Sequence, residues 1–291
     1  MTLRPLGIVE LCHIGAHECI AVVGAGGKTG LCWLLLRDLV ARGDRVIFTT
    51  TTRVRQPAPG AFDVLAINPS PLVPPGGWRT ACLASSLDGA PDDRPLLESL
   101  MPVVHTKLVG FTADQIQTLY ATMNGSTPLG DDSAPQSGEL PMSLIIEADG
   151  ARGLMLKAPG DNEPVIPATA TTVCVVANLE SIGQPLDARV AHRPERIAQI
   201  TGAPMGHLID ADTIAAALAH PAGGLKHIPP GARRVAVLMQ RSKHDDSSSL
   251  WELHPDAVAM AQRLYVAGYD HVIALSPRTQ GPTTPGVRLT E

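Results

Sequence analysis

The stretch from Cys19 to Gly30 constrains the fold of this chain more than any other part of the sequence. The apolar run Cys19–Val23 predicts a buried strand, and glycine fills three of the next four positions, which predicts a tight turn. Apolar residues then recur at helical spacing from Leu31 to Val40. Because a strand, a glycine loop and a helix in this order let backbone N–H groups converge on an anion, the stretch predicts a phosphate-binding loop.

Lysine and threonine follow the glycines, and phosphate chemistry uses both residue types. The amine of Lys28 supplies positive charge for the outer phosphates, and the hydroxyl of Thr29 can hold Mg²⁺. The full pattern G-x-x-x-x-G-K-[ST] needs a glycine where Val22 stands, so this is a shortened form that resembles the loop of Mur-type ligases. The predicted ligands are Mg²⁺ and ATP or another nucleoside triphosphate. The residues predicted to bind them here are Gly24, Ala25, Gly26, Gly27, Lys28 and Thr29.

Two other interpretations of the glycines remain open. A glycine turn packed beneath a helix, with an incidental lysine, gives the same pattern. Gly24, Gly26 and Gly30 also form a loose dinucleotide-binding pattern, although threonine stands where the strict fingerprint has Gly or Ala and no acidic residue ends the second strand. Under that interpretation, Arg53 and Arg55 would meet the 2′-phosphate of NADP.

The second predicted strand, Arg45–Thr50, ends in a run of threonines over 49–52. Carboxyl ends of parallel strands border the ligand crevice of an open sheet, so these hydroxyls are expected beside the loop. We expect Thr51 and Thr52 to orient a water on Mg²⁺ or a phosphate oxygen, and Arg53 to contact substrate. Threonine also favours strands and turns, so a purely structural origin of the run remains open.

An acidic pair follows a third apolar run, Ser143–Glu147. Glu147 and Asp149 are two residues apart and share one face for as long as the chain stays extended. With Thr29 they form the predicted metal site, because Mg²⁺ prefers oxygen ligands. The catalytic residues predicted from this arrangement are Lys28, Glu147, Asp149 and Arg152.

Charged residues also stand among prolines later in the chain. Lys157 and Glu163 lie close to Pro159 and Pro164, which stiffen the loop, and Arg193 precedes a helix. Preorganised charge of this kind suits capture of an anionic substrate, so these residues are predicted to bind substrate. Charges that are simply solvated are the alternative.

The overall pattern predicts an α/β fold: a mainly parallel sheet flanked by helices, P-loop NTPase-like, with a small β-rich excursion. We expect a single domain over 1–275 and a loose tail over 276–291. The Pro- and Gly-rich segment 57–102 holds two strand-like runs, at 62–67 and 80–85, which predict a hairpin over one edge of the sheet. The polar segment 124–141 predicts a flexible linker.

Composition narrows the class of protein. Hydrophobic residues make up 44% of the 291 residues, which is typical of a globular chain. The formal net charge of −5 argues against nucleic acid as a partner. No secretory signal begins the sequence, no apolar run approaches the roughly 20 residues that span a bilayer, and the five cysteines include no C-x-x-C pair. We therefore expect a cytoplasmic protein with no membrane partner.

Several of these motifs occur together in one order, and on them the chain resembles the YqeC family of selenium-dependent hydroxylase accessory proteins. The resemblance implies a P-loop-like nucleotide-binding protein that takes part in maturation of a selenium-dependent molybdenum hydroxylase, with that enzyme or its cofactor as partner. It also implies that Arg152, Lys157 and Arg193 are cationic positions near the phosphates. The motifs are Gly24–Thr29, Thr49–Thr52, Lys107–Phe111, Glu147–Arg152, Lys157–Pro159, Glu163–Pro167 and His192–Arg193.

The sequence thus predicts an Mg²⁺-dependent nucleoside-triphosphate hydrolase or phosphoryl-transfer enzyme that acts as an accessory factor. Family members follow the late strand with an asparagine-containing element, which Val237–Asp245 lacks, so the sequence favours ATP over GTP. Two alternatives remain open: a nucleotide-gated binding or carrier protein without significant turnover, and a Mur-like ligase or kinase for a small anionic metabolite.

Overall fold

A computed structural model describes residues 7–88, 106–125, 140–240, 253–276 and 286–289. These residues form fourteen strands, six α-helices and a short 3₁₀ helix at Leu179–Ser181. The strands are β1 (Cys19–Gly24), β2 (Arg45–Thr50), β3 (Arg53–Arg55), β4 (Val64–Ile67), β5 (Thr80–Ala84), β6 (Ser86–Asp88), β7 (Lys107–Val109), β8 (Met142–Glu147), β9 (Leu156–Lys157), β10 (Thr172–Asn178), β11 (Ala191–His192), β12 (Arg233–Met239), β13 (His271–Leu275) and β14 (Gly286–Leu289). The α-helices are α1 (Ile8–Leu11), α2 (Lys28–Arg42), α3 (Ala113–Met123), α4 (Pro194–Thr201), α5 (Ala211–Ala219) and α6 (Ala257–Val266).

Nine strands form the main sheet in the order β14-β13-β12-β10-β1-β8-β2-β5-β4. All neighbouring strands are parallel except β14, which is antiparallel to β13. Helices cover both faces, which confirms the predicted α/β class with a mainly parallel sheet. Among the described helices, none combines the length and the apolar character that crossing a membrane requires.

Strand β1 lies at the centre of the sheet and is buried on both faces. Ile20 and Val22 pack into the core beneath α1 and α2. Ala21 and Val23 face the opposite core, which contains residues of α3, α4, α5 and α6. Parallel strands covered on both faces have near-continuous apolar sequences, and this explains why Cys19–Val23 contains no polar residue.

The strand order changes direction at β1. Strands β2, β4, β5 and β8 lie on one side of β1, whereas β10, β12, β13 and β14 lie on the other. Ligands of open α/β sheets bind outside the carboxyl ends of the strands at such a switch point. The fold therefore places the glycine loop, which follows β1, where a ligand crevice is expected.

The structure corrects the prediction for the segment 57–102. Strands β4 and β5 do not form a hairpin but extend the main sheet as parallel neighbours. A connection between parallel strands needs about a dozen residues. In the connection between β4 and β5, Trp78 packs in the core, and its indole N–H donates to Pro74 O at 2.8 Å. A separate antiparallel sheet of β3, β7 and β6 is here called the small sheet, and of its strands only β6 falls within the segment 57–102.

The tail also differs from the prediction of a loose segment over 276–291. Gly286–Leu289 forms β14, and Leu289 is buried. The guanidinium of Arg288 donates to the carbonyl oxygens of Glu10 and Leu11, so the strand is held by contacts distant in sequence that local composition does not reveal. Residues 277–285, most of the predicted linker (126–139), and 89–102 of the excursion lie outside the described residues.

Candidate functional site

The loop between β1 and α2 has the conformation that its glycines permit. Gly24, Gly26 and Gly27 have φ values of 95°, 72° and 149°, which side chains disfavour. Space is also short, because a Cβ on Gly24 would lie 2.2 Å from Val176 O and one on Gly26 would lie 2.4 Å from Asn178 Cβ. The loop thus needs glycine for its conformation and for its close approach to β10.

Lys28 begins α2 and is 5% exposed. Its Nζ donates to Gly24 O at 2.8 Å and lies 3.2 Å from Asp149 Oδ1, an ion pair without hydrogen-bond geometry. The amine therefore folds back over its own glycine loop. In this position it is paired with Asp149 and largely shielded from solvent.

Asp149 holds the glycine loop through contacts that lie outside the lining of the large cleft described below. Its Oδ2 accepts a hydrogen bond from the backbone N–H of Gly24 at 3.0 Å and lies 2.9 Å from Lys157 Nζ. Asp149 lines a small internal cavity of about 20 Å³ together with Gly24 and Lys157, and it is not among the residues that line the large cleft beside the loop. Of the two predicted metal carboxylates, Asp149 is thus the one committed to the loop and its lysines.

Glu147 ends β8 and faces the other way. Its Oε2 accepts a hydrogen bond from Thr29 Oγ1 at 2.9 Å, and the residue lines the large cleft. Burial raises the pKa of Glu147, and the nearby charge of Asp149 adds to this effect, which outweighs the opposing influence of Lys28 and Thr29. A divalent cation beside this carboxylate would favour its ionised form.

The pair of Thr29 and Glu147 fits Mg²⁺. Within the described residues, no group of three His, Cys, Asp or Glu side chains is placed to hold a metal by itself. Mg²⁺ commonly takes only one or two protein oxygens and completes its shell with substrate phosphates and water. One hydroxyl and one carboxylate at the glycine loop match that requirement.

The large cleft has a volume of about 750 Å³, within the usual range of about 300–1,000 Å³ for sites of small molecules. It runs from the glycine loop to the small sheet. The lining residues are Gly26, Gly27, Lys28, Thr29, Gly30, Arg53, Val54, Arg55, Lys107, Glu147, Gly150, Ala151, Arg152, Gly153, Leu154, Met155, Asn178, Glu180, Met239 and Gln240.

The threonines over 49–52 lie outside the cleft lining, and the hydroxyls of Thr50 and Thr51 donate to backbone carbonyl oxygens. Thr50 donates to Glu147 O at 2.6 Å and Thr51 donates to Val165 O at 3.0 Å, whereas the Thr52 hydroxyl lies 3.2 Å from that of Thr50. Arg53 does line the cleft, with its Nε 3.0 Å from Asp88 Oδ2. The run thus holds the ends of β2 and β8 together.

Lys157, Glu163 and Arg193 form an ion-pair network that ends at Asp149. Lys157 Nζ lies 2.8 Å from Glu163 Oε2, and Arg193 binds both oxygens of Glu163 at 2.8 and 2.9 Å. Burial opposes ionisation of Glu163, but hydrogen bonds from Arg193 and Lys157 outweigh it and lower its pKa to about 2. The structure places these three residues behind the loop and outside the cleft lining, whereas Arg152 lines the cleft.

Sequence reasoning missed Asn178 and Lys107. The side-chain amide of Asn178 donates to Gly26 O at 3.0 Å and fixes the loop from the end of β10. For Asn178, the available sequence signal was a polar residue at the end of a buried apolar strand. Lys107 lies in β7, whose pairing with β3 across about 50 residues cannot be read from local sequence.

Comparison with known proteins gives the chain a family. The family model described as YqeC protein matches residues 20–195, which include the glycine loop, Glu147 and the ion-pair network. "Uncharacterized protein YqeC" of Escherichia coli (strain K12) is 30% identical over 234 residues, or 80% of each chain. No solved structure gives a significant match. The chain belongs to the YqeC family.

Proposed function

We propose that this protein binds a nucleoside triphosphate with Mg²⁺ and hydrolyses or transfers its terminal phosphoryl group. The observation that carries the proposal is the meeting of the glycine loop, Lys28 and the Thr29–Glu147 pair at one end of the cleft. Backbone N–H groups, an amine and two oxygen ligands for Mg²⁺ are the parts that phosphoryl transfer uses for positioning and charge neutralisation.

Each group has a distinct role in this proposal. The loop amides and Lys28 bind the phosphate oxygens, whereas Thr29 and Glu147 hold Mg²⁺, which neutralises phosphate charge when bound. Asp149 keeps Lys28 and Gly24 in position through the contacts at 3.2 and 3.0 Å. Asn178 anchors Gly26 from the neighbouring strand.

A thermal-shift screen of ATP, GTP, CTP and NADPH, each with and without Mg²⁺, tests this proposal. A ligand that binds the native state raises the melting temperature, so we expect the largest rise with ATP and Mg²⁺ together. Stabilisation by NADPH alone, independent of Mg²⁺, would instead support the dinucleotide interpretation of the glycines and contradict the proposal.

Phosphate release separates an enzyme from a switch. Steady phosphate release from ATP that disappears in Lys28→Met supports turnover by this protein. Contaminating enzymes would be present in both preparations and would release phosphate in both. Tight binding of ATP without release supports the nucleotide-gated carrier that the sequence leaves open.

The accessory role is the second part of the proposal, and family membership supports it. The client would be a selenium-dependent molybdenum hydroxylase or its cofactor. Cells that lack this protein should then contain hydroxylase polypeptide at normal abundance with reduced activity, and complementation with Lys28→Met should not restore it. Normal hydroxylase activity in such cells would contradict the accessory role but not the proposal that the protein binds a nucleotide.

A further inference from the structure

The small sheet buries apolar side chains on one face and carries its basic side chains on the other. Val54 of β3 and Leu108 of β7 are 7% and 1% exposed and pack into the core beneath α2. Side chains alternate along a strand, and directly paired residues share a face. Arg53, Arg55 and Lys107 therefore lie together on the opposite face, and all three line the cleft.

Arg55 and Lys107 are direct cross-strand partners. Like charges at directly paired positions repel each other and destabilise a sheet. Asp88 pairs with Lys107 on the other side, but its carboxylate lies 3.0 Å from Arg53 Nε. Within the described residues, the amine of Lys107 makes no hydrogen bond or ion pair.

Arg152 adds a cation on the loop that follows β8. Its φ of 52° lies in the left-handed region, which costs a residue with a side chain about 1 kcal/mol or more. The side chain is exposed, lines the cleft, and makes no hydrogen bond or ion pair with any described residue. A strained backbone that holds an unpaired guanidinium at a cleft indicates a role in binding.

The cleft is cationic although the chain carries a net charge of −5. Its basic lining residues are Lys28, Arg53, Arg55, Lys107 and Arg152, and its acidic ones are Glu147 and Glu180. In the proposed function, the loop amides, Lys28 and Mg²⁺ contact the phosphates at the glycine loop. Lys107 and Arg152 are not among those contacts and have no partner among the described residues, so their charge is available to another anion.

We propose that Lys107 and Arg152 bind an oxyanion, a phosphate or a carboxylate, of a second small-molecule ligand that occupies the cleft together with the nucleotide. Arg55 lies beside Lys107 on the same face and contributes to the same field. This inference rests on the proposed function, because it takes the glycine loop as the site of the nucleotide. It deepens that function by naming the chemical class of the second ligand.

Calorimetry with two probes tests the inference. Inorganic phosphate and succinate are titrated separately into protein saturated with a non-hydrolysable ATP analogue and excess Mg²⁺, at constant ionic strength, so that the phosphate positions of the glycine loop are already filled. Lys107→Met and Arg152→Met should each weaken the tighter probe by about tenfold, the effect of one lost charged contact, and Lys107→Met should leave affinity for the ATP analogue unchanged. Preference for phosphate or for succinate identifies the oxyanion.

The matched control is Arg189→Met, which removes an exposed guanidinium that pairs with Asp187 away from the cleft and should not affect either probe. The inference is overturned if both probes bind the variants as they bind the wild type, or if Lys107→Met weakens the ATP analogue as much as the probe. Failure of the ATP analogue to bind the wild type contradicts the proposed function instead, and titration of the probes into nucleotide-free protein then tests the cationic site by itself.

Discussion

Lys157 Nζ lies 2.9 Å from Asp149 Oδ2, so the carboxylate beside the loop lysine has a second, more deeply buried counter-charge. The same oxygen accepts the N–H of Gly24, and Oδ1 lies 3.2 Å from Lys28 Nζ. Asp149 therefore connects the glycine loop to the ion-pair network of Lys157, Glu163 and Arg193. In the proposed function this geometry makes Asp149 a positioning residue, and Glu147 is the carboxylate of the two that lines the cleft.

Asp149→Asn should destabilise the fold and misplace the loop. Removing one partner of a buried ion pair costs about 3–5 kcal/mol. Here Lys28 loses its carboxylate partner, and Lys157 keeps only Glu163. Denaturant unfolding should show this loss, and ATP affinity should fall to the same extent with and without Mg²⁺. Asp161→Asn is the control, because Asp161 is exposed and a solvent-exposed pair such as its contact with Arg196 contributes little to stability. Loss of the Mg²⁺ effect at unchanged stability would show instead that Asp149 holds the metal.

Glu147→Gln should remove the Mg²⁺-dependent part of ATP affinity and retain the metal-free part. The amide keeps an acceptor for Thr29 but lacks the charge that attracts the cation. Calorimetric titration of ATP at several Mg²⁺ concentrations measures the effect, with Glu195→Gln on the exposed face of α4 as the control. An unaltered Mg²⁺ dependence in Glu147→Gln would place the metal elsewhere.

The raised pKa of Glu147 gives a second expectation for that variant. A carboxyl group whose pKa is higher in the folded state than its ordinary value of 4.5 destabilises the fold when ionised, and this cost disappears as the pH falls through the folded-state pKa. Glu147→Gln should therefore be more stable than the wild type at pH 7, with an advantage that shrinks as the pH is lowered. Melting temperatures between pH 8 and pH 5 measure this, and a constant difference would contradict it.

Glu163 should show the opposite pH dependence. Its pKa is lowered from 4.5 to about 2, so its ionised form stabilises the fold fully above pH 4.5 and loses that effect as the pH falls toward 2. The urea midpoint of the wild type should exceed that of Glu163→Gln at pH 6, and the difference should shrink between pH 4.5 and pH 3 and vanish only as the pH approaches 2. A difference that stays the same from pH 6 to pH 3 would show that Glu163 contributes through packing alone.

Gly26→Ala and Gly30→Ala should have opposite effects on stability. A Cβ on Gly26 collides with Asn178 Cβ at 2.4 Å in a left-handed conformation, which costs about 1 kcal/mol before the steric contact is counted. A Cβ on Gly30 meets nothing within 4 Å, and alanine in a helix is better than glycine by about 1 kcal/mol. The melting temperature should fall in the first variant and rise or stay level in the second. Equal effects would contradict the tight loop.

Local sequence patterns predicted most of the secondary structure around the glycine loop. The apolar run of β1, the glycine turn, the threonine cap of α3 and the apolar run of β8 all depend on neighbours in sequence, and the structure has them at the expected places. The acidic pair was harder, because the strand ends at Glu147 and the two carboxylates then diverge. Which side each carboxylate faces depends on Lys157 and Thr29, which are distant in sequence.

The contacts of the threonines and the position of the small sheet also depend on residues that are distant in sequence. A threonine hydroxyl serves a ligand or a carbonyl equally well, and only the fold brings Val165 O to Thr51. Likewise, Lys107 becomes a residue of the cleft through its pairing with Arg55. Long-range pairing of this kind leaves no periodic pattern in a single sequence.

Calorimetric titration of ATP with Mg²⁺ into the wild type and Lys28→Met tests the central claim most directly. Asp149 keeps Lys157 as its partner in this variant, so the fold should persist, and Arg37→Met on the same helix is the matched control. We predict saturable binding to the wild type and to Arg37→Met, and affinity about 10- to 100-fold weaker for Lys28→Met because one charged contact with phosphate is lost. Equal affinity in all three proteins, or no binding to the wild type, would contradict the assignment of the glycine loop as a phosphate site.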